Sequence, residues 1–209
     1  MDLKNLRVNY TKGELDLSSV PHDPLVLFTQ WMKEALSDPA IPEPYAMTLS
    51  TVSKKNRPSG RMVLLKEFSG KGFVFFTSYS SRKGLELIAN PYASLLFFWP
   101  AHERQIRIEG KVRKTSRKIS TEYFDSRPEG SRAAAIASAQ SRPLTDKKNL
   151  ISKYRSVLKS GITICPEDWG GFILIPDYYE FWQGGKDRLH DRIFFRKRGK
   201  IFKMGRLYP

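Results

Sequence analysis

Between residues 46 and 114, and again from 169 onward, short apolar runs alternate with polar residues and are cut by turn residues. This period of two fixes what the chain can become: many short strands joined by tight turns. Strands are expected over 46–52, 60–67, 72–77, 94–99 and 105–114, then over 171–175, 178–183, 188–196 and 200–207. Lys54-Lys55-Asn56-Arg57-Pro58 reads as the first hairpin turn, Pro100-Ala101-His102-Glu103 as another, and Gly110 as a bulge. Between the two β blocks, 116–160 changes to a helical pattern. Pro128 divides a helix over 116–126 from a small-residue helix over 129–139, and 146–160 forms a third. A short helix runs from Ser81 towards Asn90-Pro91. Near the N-terminus, Asp23 and Pro24 suit a cap and first turn, and Leu25, Phe28, Trp31, Met32 and Ala35 follow at core-facing helical spacing. Residues 1–22 show no period and read as an arm. The expected architecture is mainly β with helices (α+β): a barrel with peripheral helices over 23–209, carrying a helical insertion at 116–160.

Composition narrows the function classes. No apolar run approaches the ~20 residues needed to cross a bilayer, and the polar start Met1-Asp2-Leu3-Lys4-Asn5 lacks a signal-peptide core. Cys165 is the single cysteine, which excludes an internal disulfide and fits a cytoplasmic setting. His22, His102 and His190 are too scattered for a metal motif, so no metal is expected. The net charge of +15 suits either a polyanion or a phosphorylated small ligand. The cations are spread, with local clusters at 104–118 and 192–200, rather than gathered in an arm or helix as nucleic-acid binders have them.

The chemistry concentrates in a few stretches. Phe181 to Arg192 reads as strand, Gly-Gly turn and strand, and strand geometry from 188 puts Arg188, His190 and Arg192 on one face. Such a row calls for an anion to offset its repulsion; a solvated edge strand has the same pattern. In Arg61-Met62-Val63-Leu64-Leu65-Lys66, the two charges point to opposite faces unless a bulge or strand end intervenes. Two solvated strand-end charges are the other reading. Ser81 can cap a helix whose free N–H groups lie beside Arg82 and Lys83, a phosphate cradle that tolerates its cations best with an anion bound. Tyr123, Arg127 and Ser131 recur every four residues, so they share a helical face or, across Pro128, line a corner between helices. Gln140-Ser141 offers amide and hydroxyl groups. No Rossmann, P-loop or G-x-S-x-G pattern is present, which favours chemistry carried by a bound organic cofactor.

Taken in order, these stretches resemble the pyridoxine/pyridoxamine 5′-phosphate oxidase family. The matching motifs are Arg61-Met62-Val63-Leu64-Leu65-Lys66, Phe76-Thr77, Ser81-Arg82-Lys83, Glu103-Arg104-Gln105, Tyr123-Phe124-x-Ser126-Arg127-Pro128, Gln140-Ser141, Trp169-Gly170-Gly171, Glu180-Phe181-Trp182-Gln183-Gly184, Arg188-Leu189-His190-Asp191-Arg192 and Arg206-Leu207-x-Pro209. The resemblance implies an FMN-binding split β-barrel, a homodimer with FMN at its interface, and neither nucleic acid nor membrane as partner. It implies that Arg61, Met62, Val63, Leu64, Phe76, Thr77, Arg82, Lys83, Gln105, Gln140, Ser141, Trp182 and Arg192 hold FMN, with Lys66 shared between FMN and substrate. Tyr123, Arg127, Ser131, Arg188 and His190 would hold a vitamin B6 phosphate, Arg188 and His190 as the catalytic pair, with Arg7 and Tyr10 closing over it. The implied reaction moves a hydride from the substrate C4′ to flavin N5, and dioxygen then reoxidises the flavin to give hydrogen peroxide. Related readings are a split-barrel flavin oxidase on a phenazine-type substrate, or an FMN- or pyridoxal-phosphate-binding protein without turnover. Val8-Asn9, Arg132, Ala133-Ala134 and Arg142 depart from the family pattern.

Overall fold

The computed structural model describes residues 1–6, 8–161 and 163–209. The chain opens with an arm and enters α1 (Pro24–Ser37), where Asp23 caps by accepting from the Leu25 amide and Pro24 sets the first turn. The stripe Leu27, Phe28, Trp31, Met32 and Ala35 is buried. Phe28 is fully enclosed and meets Phe68, Phe73 and Phe97 edge-on at 4.9, 4.9 and 5.4 Å. That aromatic contact fastens α1 to the sheet.

The strands are β1 (Ala46–Val52), β2 (Pro58–Leu64), β3 (Glu67–Ser69), β4 (Gly72–Ser78), β5 (Tyr92–Trp99), β6 (Arg104–Lys114), β7 (Trp169–Gln183), β8 (Asp191–Arg198) and β9 (Ile201–Arg206). They form one antiparallel sheet in the order β2-β1-β5-β6-β7-β4-β3, with β8 and β9 continuing from β7. The two ends of this order are joined by the chain itself. β2 runs through Leu65 and Lys66 into β3, the Leu65 amide donates to the Tyr45 carbonyl, and the Lys66 amide donates to the Val74 carbonyl. The sheet thereby curls into a split barrel around a core of residues such as Met47, Leu49, Leu95, Ile106 and Phe181.

Three sequence expectations change. The segments 171–175 and 178–183 are one strand, β7, because β6 follows it throughout. The irregularity lies in β7 itself: Asp177 has no partner on β6, and the register shifts opposite Glu109/Gly110. The bulge expected at Gly110 is therefore on the facing strand; a Cβ on Gly110 would lie 2.1 Å from the Ile175 carbonyl oxygen, so only glycine fits opposite it. The strand expected over 60–67 ends at Leu64. The strand expected from 188 begins at Asp191, for reasons given below.

The insertion holds α3 (Arg117–Ser126), α4 (Glu129–Ala137) and α5 (Lys147–Ser160). α3 and α4 meet at Arg127-Pro128, the corner that Pro128 enforces. They are seated by a second, small core of Phe124, Cys165 and Trp169 with Phe76, Tyr123, Ala135 and Ile136 around it. The short α2 (Arg82–Ala89) is capped by Ser81, whose hydroxyl accepts from the Gly84 amide.

Candidate functional site

A cleft of about 640 Å³ opens between the barrel and the α3–α4 corner. The end of β2 supplies Met62, Val63 and Leu64, and Lys66 reaches the same cleft because the strand stops before it. β4 supplies Phe76 and Thr77, α2 supplies Lys83, the corner supplies Tyr123, Arg127 and Ser131, and the turn after α4 supplies Gln140. Eleven of the residues expected at one site thus line one hollow. Phe76 stacks on Tyr123 at 3.9 Å, and Tyr123 lies parallel to Trp169 at 6.2 Å. Three cations, Lys66, Lys83 and Arg127, line the cleft, and no carboxylate does among the described residues.

Two of these cations, Lys83 and Arg127, are set against neutral groups. The Lys83 ammonium donates to Thr77 Oγ1 at 3.1 Å and to Gln140 Oε1 at 3.0 Å. Burial, and then the nearby Arg61 charge, lower its pKa. The Arg127 guanidinium lies 4.9 Å over the Trp169 ring, its pKa is lowered chiefly by burial, and its Nη1 is buried with no hydrogen-bond partner. A buried, unpaired guanidinium nitrogen is costly unless an anion completes it.

Arg61 and Arg82 stand behind this cleft. Arg61 donates to the Leu49 carbonyl, Thr51, Ser59 and Glu86, and Arg82 Nε donates to Glu86 Oε1 at 2.9 Å. Glu86 is buried between them and also accepts from Thr51 and Ser59. Burial alone would raise its carboxyl. The hydrogen bonds from Thr51, Ser59 and Arg82, with the Arg82 charge, outweigh that and bring it to about 2. Ser141 adopts φ +70 and, with Arg82, lines a neighbouring groove rather than the main cleft.

The remaining expected residues form a second group outside the cleft. Gln105, Trp182 and Arg192 are direct cross-strand neighbours on β6, β7 and β8, one row on one face. Arg192 is braced by Glu180 through Nε at 2.9 Å and Nη2 at 2.8 Å, and donates to the Tyr208 carbonyl. Arg188 does not alternate with His190 and Arg192 along a strand. Gly184 and Gly185 lead into a 3-10 turn at Lys186–Arg188, with Asp187 at φ +53 and Arg188 at φ +66, conformations no strand accommodates. The Gly185 amide donates to His190 Nδ1 at 3.1 Å, which leaves the ring proton of neutral imidazole on Nε2. Burial, then the Arg188 charge, lower the His190 pKa and favour that neutral form. The His190 ring lies 4.7 Å from Trp182, and Tyr10 of the arm packs edge-on against both at 5.6 and 5.8 Å. Arg7 lies outside the described residues.

The sequence reading missed Glu86 and Trp169 as parts of the site, and Glu180 as the brace of Arg192. Glu86 had a local signal, four residues after Arg82 on one helix face. Trp169 stood in a matching motif, but nothing local marked it as part of the stack, because its stacking partners are far away in sequence.

Residues 32–158 match the family described as pyridoxamine 5′-phosphate oxidase, and residues 169–209 match the pyridoxine 5′-phosphate oxidase C-terminal dimerisation region. A pyridoxine/pyridoxamine 5′-phosphate oxidase of Herminiimonas arsenicoxydans is 48% identical over 197 residues, 93% of each chain. One of Burkholderia lata is 48% identical, covering 93% of this chain and 92% of its own. Among solved structures, PhzG from Burkholderia lata in complex with tetrahydrophenazine-1-carboxylic acid superposes with a TM-score of 0.86 at 29% identity, covering 94% of this chain and all of that one. An FMN-binding protein of Nostoc punctiforme shares the fold at a TM-score of 0.68 and 13% identity, over 93% of this chain and all of its own.

Proposed function

The chain belongs to the pyridoxamine 5′-phosphate oxidase family, and from that premise we propose that it is an FMN-dependent oxidase of pyridoxine and pyridoxamine 5′-phosphates, yielding pyridoxal 5′-phosphate. The observation that carries this reading is the cleft itself: among the described residues it has three cations and no carboxylate, and one cation has a buried, unpartnered nitrogen. That set asks for phosphate, and the aromatic stack beside it suits a flat heterocycle.

The residues fit the flavin as well. Arg61 and Arg82 meet at Glu86 on the capped helix that also carries Lys83, and the start of that helix is a suitable place for its phosphate. Met62 to Leu64, Phe76, Thr77, Gln140 and Ser141 would complete that side. Bound there, FMN would take two electrons from the substrate and return them to dioxygen. Lys66, Tyr123, Arg127 and Ser131 would bind the substrate phosphate, fixing the reacting carbon in place, where positioning carries much of the rate. His190, neutral with its proton on Nε2, would offer a hydrogen-bond donor to the substrate ring, and Arg188 a fixed positive charge.

Gln105, Trp182, Arg188, His190 and Arg192 do not line the main cleft. In this proposal they reach the cleft of a second copy, so the working unit is a homodimer with both groups at each site. Exposed Met62, Leu85, Ile88 and Phe98 support a buried contact between copies. No helix among the described residues is long and apolar enough to cross a membrane.

Oxygen uptake with each B6 phosphate, before and after removal and restoration of FMN, tests the reading. Uptake dependent on both flavin and the substrate phosphate is expected. Flavin-loaded protein that turns over neither phosphate would refute it. The likeness to PhzG gives the rival substrate for the same assay, a reduced phenazine carboxylic acid.

A further inference from the structure

Glu103 closes the turn between β5 and β6 in a left-handed conformation, φ +53, that glycine or asparagine adopts with less strain. Its side chain is nevertheless buried, and among the described residues no cation pairs with it. The carboxylate instead accepts two consecutive backbone amides of the N-terminal arm: Thr11 N at 2.7 Å and Lys12 N at 2.9 Å, both on Oε2. Successive amides of this kind form a nest for an anion, and here the anion is a side chain of the sheet. Charge-assisted bonds to a buried carboxylate are among the stronger hydrogen bonds a chain can make.

What the nest secures is the residue just before it. Tyr10 rests against Trp182 and His190 and over Gly184, where a Cβ would come within 2.7 Å of the tyrosine Cβ and Cγ. The same turn is tied to that neighbourhood from the other side, since the Glu103 carbonyl accepts the Gly184 amide at 2.8 Å. The arm is held again four residues on, where the Leu15 amide donates to Asp191 and the Leu15 carbonyl accepts from Arg206. At the first anchor, Lys12 Nζ also donates to the Ala101 carbonyl at 2.7 Å.

We propose that Glu103 is a positioning residue. It clamps the arm by its backbone so that Tyr10 is fixed over the His190–Trp182 edge, and so governs affinity for the phosphorylated pyridine without governing affinity for the flavin. The substrate part rests on the function proposed above; the clamp itself does not.

The test uses the flavin-loaded protein with Glu103→Gln, and Thr11→Pro, which removes one nest amide from the arm side and leaves β6 untouched. Glu14→Gln, an exposed arm position, is the control. Amide exchange at Lys12 should rise at least tenfold in both clamp variants. KM for pyridoxine 5′-phosphate should rise roughly tenfold, the loss of about one charge-assisted bond, with kcat and the flavin Kd within twofold. The double variant should be little worse than either single one, because both break the same contact. Unchanged KM with faster exchange would overturn the proposal, as would flavin affinity falling in step with KM, which would make Glu103 a support of the sheet. Unchanged exchange would remove the clamp altogether. Should the wild-type protein oxidise neither phosphate, the oxidase reading fails alone, and amide exchange with the Kd for pyridoxal 5′-phosphate still decides the clamp.

Discussion

Replacing Glu86 with glutamine removes the one carboxylate set between Arg61 and Arg82, and the structure gives the size and pH dependence of the effect. The folded carboxyl is held at about 2 against an ordinary 4.5. Its folded pKa is therefore depressed, so its contribution is complete above about 4.5 and is lost as the pH falls through 2. The depression corresponds to roughly 3 kcal/mol at pH 7 and about 1 kcal/mol at pH 3. Arg61 keeps its bonds to the Leu49 carbonyl, Thr51 and Ser59 in the variant, so the fold should survive the change. Urea unfolding followed by tryptophan fluorescence, at fixed flavin excess and fixed protein concentration, reads the difference. At pH 7 the midpoint should drop by roughly 1 M, and most of the gap between the two proteins should close by pH 3. A gap of equal size at both pH values would refute the electrostatic account. So would a glutamine variant as stable as the wild type at pH 7.

Arg127→Met should raise KM for pyridoxine 5′-phosphate tenfold or more without lowering the Tm of the flavin-free protein, because it removes a guanidinium whose buried nitrogen has no partner; calorimetry and steady-state kinetics check both halves. Arg188→Ala should cut turnover by two orders of magnitude or more while the purified protein keeps its flavin absorbance, since Arg188 is exposed on a turn outside the main cleft; near-normal turnover would count against its role. The lowered His190 pKa means that the neutral ring persists as the pH falls until that depressed value is passed. If neutral His190 is needed, the acid limb of kcat/KM should lie below 6.5 and disappear in His190→Asn; a limb above 6.5 would rule this out.

Much of the fold was legible because its determinants are local. The Asp23-Pro24 start and the stripe through Phe28 and Trp31 announce α1, and alternation announces most strands. Gly110 marked the level of the irregularity, but the bulged residue is Asp177 on the facing strand. What escaped was conformation decided elsewhere. Arg188 has strand-like neighbours in sequence, yet two glycines and two left-handed residues turn the chain there. β7 continues through Pro176 because Asp177 bulges out and pairing with β6 resumes on both sides of it. The cleft residues followed from motif resemblance, while their partners depended on distant contacts: Trp169 from the far side of the insertion, and Glu86 as the shared anchor of two arginines. The division of the expected site into two groups on one chain had no signal in composition or periodicity.

The central place of β7 in the sheet has a bearing on how the protein is made. β7 pairs with β6 along its length, with β4 over its first half and with β8 over its second. Residues 115–168 separate it from β6, several seconds of translation at ~5–20 residues per second. Throughout that interval the nascent chain carries β4 and β6 with bare edges, the state in which strands from neighbouring ribosomes find one another. A polypeptide cut short before Trp169 should accordingly emerge as aggregate, and never as a soluble half-barrel.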